Sequence, residues 1–203
     1  MTPEPIDVAL GLVRHLRSQG VPCAIGGSIA LALWGMPRFT KDVDLNCFVS
    51  VERFEALLDV LVAGGCEGFL GKPWTAEARS EFLRRAREGE VAVCWKDGYR
   101  VDIFVPSIPF YADAEASVRM VALEGEEVPV LSPETLCVFK LLFFRARDLT
   151  DIERIVARQV LRLDVAWVRR HIVDMVGEGN ERVVAWDAIV RDHSPSSSPP
   201  HGG

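Results

Sequence analysis

The sequence has no Cys-x-x-Cys pair, no clustered histidines, no surplus of positive charge and no apolar run long enough to span a bilayer. Each absence removes a class of protein. Five cysteines (Cys23, Cys47, Cys66, Cys94, Cys137) are odd in number and scattered, which argues against a disulfide-built secreted scaffold. They read as reduced thiols, mostly buried as small apolar side chains. Four isolated histidines provide no zinc-ligand spacing. With 23 Lys and Arg against 29 Asp and Glu, the net charge of -6 argues against a protein that coats nucleic acid, while leaving room for local contact with an RNA end. The opening stretch MTPEPIDVALGLVRHL lacks the apolar core of a signal peptide, and the expected location is the cytoplasm, with no membrane partner. No internal repeat is visible.

What is present suits a globular chain: 203 residues, 49% hydrophobic and 26% charged. Apolar residues at helical spacing predict a helix from about Pro5 to Gln19, closed by Gly20. Val21–Ile25 reads as a short strand running into Gly26-Gly27, and Ser28 opens a small-residue helix that Gly35 and Pro37 end. Asp42–Val49 alternates like a half-buried strand, followed by a helix over 51–63 and a glycine-rich loop over 64–74. That loop contains Gly71-Lys72-Pro73, which is no Walker motif because Cys66 and Pro73 stand where glycine and Ser/Thr are required. A charged helix over 76–87 precedes two β-rich runs around Asp97-Gly98, a hairpin signal. Arg119–Leu123 and Val128–Leu131 flank a further turn at Gly125. From Leu131 the pattern is helical, with helices expected over 133–145, 151–158, 165–176 and 181–190. Thr150 and Glu153 have the spacing of a capping box. The organisation expected is therefore a core over 1–131, a helical segment over 132–193 and a disordered tail over 194–203.

The chemistry concentrates in two places. Gly26-Gly27 with Ser28 suits a turn that grips phosphate through backbone N–H groups at a helix start. In Asp42-Val43-Asp44, residues i and i+2 of a strand face one side, about 6.6 Å apart along the chain, so the two carboxylates project together. Hard oxygen ligands of this kind suit magnesium, which also binds phosphate oxygens. Asp102, in Arg100-Val101-Asp102-Ile103-Phe104, is an acid amid strand residues. On a strand beside Asp42 and Asp44 it would complete a metal triad and serve as general base toward an acceptor hydroxyl.

The segment from Ile25 to Leu45, with Gly26, Gly27, Gly35, Arg38, Thr40, Asp42 and Asp44, resembles the signature of the nucleotidyltransferase (polymerase-beta-like) superfamily. It is similar to the small prokaryotic members related to abortive-infection (AbiEii-type) toxins and to antibiotic nucleotidyltransferases. The resemblance implies an α+β fold: a small mixed sheet with flanking helices, then a C-terminal helical segment. It implies transfer of a nucleoside monophosphate from an NTP donor, such as ATP, to a hydroxyl on a tRNA or RNA end, a protein or a small molecule. A toxin of this kind would have an antitoxin protein as partner. The implied cofactor is Mg2+ in a two-metal site, with Mn2+ as a substitute. Asp42, Asp44 and Asp102 would be metal ligands and catalytic residues, and Gly26, Gly27, Ser28, Arg38 and Lys140 would bind nucleotide. Lys140 is the one charge in Leu136–Phe144, a position from which it either snorkels or reaches a polar cleft. Arg79, Arg84, Arg85 and Arg87, interleaved with glutamates, read as a solvated helix face. The rival reading is a non-catalytic nucleotide- or partner-binding module, and the position of Asp102 relative to Asp42 and Asp44 discriminates between them.

Overall fold

Burial alternates along three strands and produces a sheet with one dry face and one more open face. The computed structural model describes residues 3–123, 125–159 and 162–193. The chain divides into two compact units, Met1–Ser132 and Pro133–Gly203. Residues 194–203, expected to form a disordered tail, lie outside the described residues.

The first unit contains α1 (Pro5–Ser18), β1 (Cys23–Ile25), α2 (Gly27–Leu33), β2 (Asp42–Cys47), α3 (Phe54–Ala63), α4 (Ala76–Arg87), β3 (Ala92–Lys96), β4 (Tyr99–Phe104), α5 (Tyr111–Ala116), β5 (Arg119–Leu123) and β6 (Glu126–Val130). The sheet order is β3-β4-β2-β1-β6-β5. It is mixed: β2 runs parallel to β4 and antiparallel to β1, and β1 runs parallel to β6. Val43, Leu45 and Cys47 on β2, Val101 and Ile103 on β4, and Ala92 and Cys94 on β3 are fully buried on one face. Helix α1 packs on β1 and β2, and α4 on β3. Each large apolar side chain buried there contributes about 2 kcal/mol. The alternate residues of the same strands, among them Val93, Trp95, Asp44, Asp102 and Phe104, are only half-buried.

Local chemistry sets the element ends. Pro5 opens α1, and Asp7 and Glu4 form a capping box. Asp97 and Gly98 take φ of 52° and 84° in the β3–β4 hairpin, the left-handed pair that such a two-residue turn demands. All five cysteines are buried thiols, and burial pushes Cys23 up to about 12. The arginines of α4 are engaged: Arg84 with Glu81 and Glu88, Arg79 with Asp59 and Arg87 with Glu55, the last two tying α4 to α3.

The second unit holds α6 (Pro133–Phe143), α7 (Ala146–Gln159), α8 (Val165–Val176) and α9 (Glu181–His193). Helix α7 starts five residues before the expected Asp151. Its cap lies at Arg145 instead of Thr150: the Asp148 carboxylate accepts the Arg145 backbone N–H at 3.2 Å and its Nε–H at 2.6 Å. Thr150, inside the helix, donates back to the Ala146 carbonyl. Helix α5, absent from the expectation, begins after Phe110, and β2 ends two residues earlier than expected. The architecture is α+β.

Candidate active site

The parallel pairing of β2 with β4 decides the site. In its register Asp44 stands opposite Asp102 and Asp42 opposite Arg100. Residues directly opposite in adjacent strands share a face. Asp42, Asp44, Arg100 and Asp102 therefore all lie on the open face, because their neighbours Val43 and Val101 point into the core. The sheet sets on one face of two adjacent strands the three aspartates that the sequence singled out, although Asp102 is 58 residues beyond Asp44.

The glycine turn abuts Asp44. Gly26 donates its N–H to the Asp44 carbonyl at 2.9 Å. Gly27 has φ of 53°, and a Cβ on it would lie 1.8 Å from Asp44 Oδ2. Only a residue without a side chain lets the turn reach the Asp44 carboxylate. A Cβ on Gly26 would meet Asn46 Nδ2 at 2.7 Å, so Asn46, buried two residues beyond Asp44, packs under the turn. Ser28 is buried in the first turn of α2. The Trp34 indole N–H donates to the Leu131 carbonyl at 2.8 Å and fastens the far end of that helix.

Arg38 is half-buried on the loop joining α2 to β2. That loop is tied to β2 where the Asp42 N–H donates to Thr40 Oγ1 at 3.2 Å. Lys140 lies in the second unit. Its Nζ donates to Asp151 Oδ2 at 2.7 Å and lies 3.7 Å from Asp148 Oδ1, with all three groups buried.

Asp102 is the electrostatically unusual member. Desolvation raises its carboxyl above the ordinary range. The charge and hydrogen bond of Arg100 work against that rise, and the charge of Asp42 adds to it. Arg100 Nε donates to Asp102 Oδ1 at 2.7 Å. Sequence reasoning missed both Arg100 and Asn46 as members of the site. The signal was available, since each lies two residues from a named aspartate and so shares its face.

The donor set consists of hard carboxylate oxygens on adjacent strands, next to a backbone turn that admits no side chain, and this fits a divalent cation. Among the described residues no three acidic, histidine or cysteine side chains are already gathered as a metal cage. Asp102 is engaged by Arg100 instead. No helix among the described residues is long and apolar enough to cross a membrane.

Several solved structures are similar. The ANT(2'')-Ia structure in complex with adenylyl-2''-tobramycin is 14% identical, with 93% of this chain and 99% of that chain covered and a TM-score of 0.49. A nucleotidyltransferase-like antigen from Paracoccidioides brasiliensis is 18% identical over 89% and 92% of the two chains, with a TM-score of 0.48. No match is found among curated proteins. The family model of the aminoglycoside-2''-adenylyltransferases matches residues 9–160, which takes in the glycine turn and all three aspartates. On that match the chain belongs to the aminoglycoside-2''-adenylyltransferase family, and it is a nucleotidyltransferase.

Proposed function

We propose that the chain transfers an adenylyl group from ATP to a hydroxyl of a small-molecule acceptor of the aminoglycoside kind, with magnesium. The observation that carries this reading is the register that sets Asp44 against Asp102 beside the Gly27 cradle. Family membership supports the acceptor class.

In this reading Gly27 and Ser28 present backbone N–H groups and the Ser28 hydroxyl to the triphosphate, Gly26, whose N–H is bound to the Asp44 carbonyl, shapes the turn beside it, and Arg38 neutralises phosphate charge. Asp42, Asp44 and Asp102 hold the divalent cations. Magnesium, when bound, supplies charge stabilisation for the transferring phosphoryl group and the departing pyrophosphate. Asp102 accepts the proton of the attacking hydroxyl. The hydroxyl oxygen forms a bond to the α-phosphorus as the bond to the β-phosphate bridging oxygen breaks, leaving AMP on the acceptor. Lys140 joins this set only if it exchanges Asp151 for a phosphate, and its buried pairing supports a structural role.

Pyrophosphate release with each NTP and magnesium, in the presence of an aminoglycoside panel, total RNA or lysate protein, tests the reading. The expected result is release with ATP and an aminoglycoside, abolished in Asp44→Asn and Asp102→Asn. Transfer to an RNA end alone would replace the acceptor class and favour the toxin-with-antitoxin reading. Release that persists in Asp44→Asn would overturn the assignment of the site.

A further inference from the structure

Arg100 places a cation among the carboxylates of the open face. It stands directly opposite Asp42 across the β2–β4 pair, and its Nε lies 2.7 Å from Asp102 Oδ1. The Arg100 side chain is 45% exposed and that of Asp102 only 16%. The guanidinium thus reaches from solvent to a half-dry carboxylate. A guanidinium fork and a divalent cation compete for the same carboxylate lone pairs. A divalent cation at Asp102 is therefore opposed by the positive charge of the guanidinium and by its hold on Oδ1.

We propose that Arg100 is a positioning residue for the nucleotidyl transfer: it holds the Asp102 carboxylate in the nucleotide-free protein, and the metal–nucleotide complex must take that carboxylate from it. This inference rests on the metal-binding reading of the three aspartates. It has two consequences. The nucleotide-free protein binds divalent cation more weakly than its three carboxylates alone would. Once Asp102 is taken, Arg100 is released on the face that carries Asp42 and is free to pair with phosphate oxygens. Its planar fork suits that task better than any amide or ammonium replacement.

The test is Mn2+ titration of the full chain without nucleotide, followed by electron paramagnetic resonance, with circular dichroism and melting temperature as folding controls. Arg100→Gln is expected to bind Mn2+ about threefold more tightly than the wild type, the scale of a half-exposed ion pair. Arg100→Lys is expected to lie between the two. In an Asp102→Asn background, where the carboxylate that Arg100 holds is gone, the tightening by Arg100→Gln is expected to be smaller than in the wild-type background. Under turnover, Arg100→Gln should raise KM for the nucleotide more than it lowers kcat. Unchanged or weaker Mn2+ binding in folded Arg100→Gln overturns the inference. Asp44→Asn separates that failure from failure of the underlying reading. If it weakens Mn2+ binding while Arg100→Gln does not tighten it, only the role of Arg100 falls. If Asp44→Asn leaves Mn2+ binding unchanged, the metal site itself falls.

Discussion

Lys140 combines a buried position with full charge, and its surroundings show what that charge does. Its ammonium lies 2.7 Å from Asp151 and 3.7 Å from Asp148, and the side chains of the three residues are less than a tenth exposed. Arg145 contributes a second cation to Asp148. Methionine at position 140 would fill similar space and take the ammonium away from the Asp151 carboxylate in a dry environment. Breaking such a pair from one side costs about 3–5 kcal/mol. Lys140→Met is therefore expected to lower the urea midpoint and melting temperature strongly, and Asp151→Asn in the same chain should restore part of the loss. Equilibrium urea unfolding of the single and double variants measures both. A Lys140→Met protein of native stability with a raised nucleotide KM would instead make Lys140 a ligand.

At the scale of elements, the strand–turn–helix from β1 to α2 was legible because every signal in it is local. An apolar run, two glycines and a small-residue helix need only neighbours along the chain. The Asp97-Gly98 hairpin and the alternation of β2 were legible for the same reason. The register that pairs Asp44 with Asp102 was not, because non-local strand pairing fixes it. The same alternation rule that placed Asp42 and Asp44 on one face would have added Arg100 and Asn46, had it been carried two residues further. The start of α7 escaped notice because the helix begins where Asp148 can reach both the backbone and the side chain of Arg145. The glycine turn allows a sharp test of how closely these elements fit. Alanine at position 27 would need the left-handed region, at about 1–2 kcal/mol, and its Cβ would fall 1.8 Å from Asp44 Oδ2. The carboxylate or the turn must move. Gly27→Ala is expected to lower the melting temperature modestly and kcat on the order of 100-fold, since ångström-scale misplacement of a reacting constellation costs that much. Thermal denaturation and pyrophosphate release read the two effects. Wild-type turnover in a folded Gly27→Ala protein would remove the turn from the site.

For the molecule as a whole, the one-sided sheet implies a conflict between stability and function. One face is a dry apolar layer, and the other collects acids in a chain that already carries a net charge of -6. The cost of that face is clearest at Asp102, whose carboxyl burial raises above its unfolded value while Asp42 pushes it further. A carboxyl raised on folding binds its proton more tightly in the native state. Its contribution to stability is therefore fully present below the unfolded value and is lost as pH rises through the folded one. At neutral pH the ionised group opposes folding, and Arg100, with a smaller contribution from the charge of Arg85, offsets it only in part. Asn at position 102 does not titrate. Asp102→Asn is accordingly expected to melt above the wild type at pH 7, although it loses the ion pair with Arg100. That advantage should shrink as pH falls through the raised folded value and vanish below the ordinary carboxyl range. Melting temperatures of the two proteins across pH 3–8 measure it. A gap that widens toward acid would mean that ionised Asp102 stabilises the fold, and that this face was selected for packing rather than for catalysis.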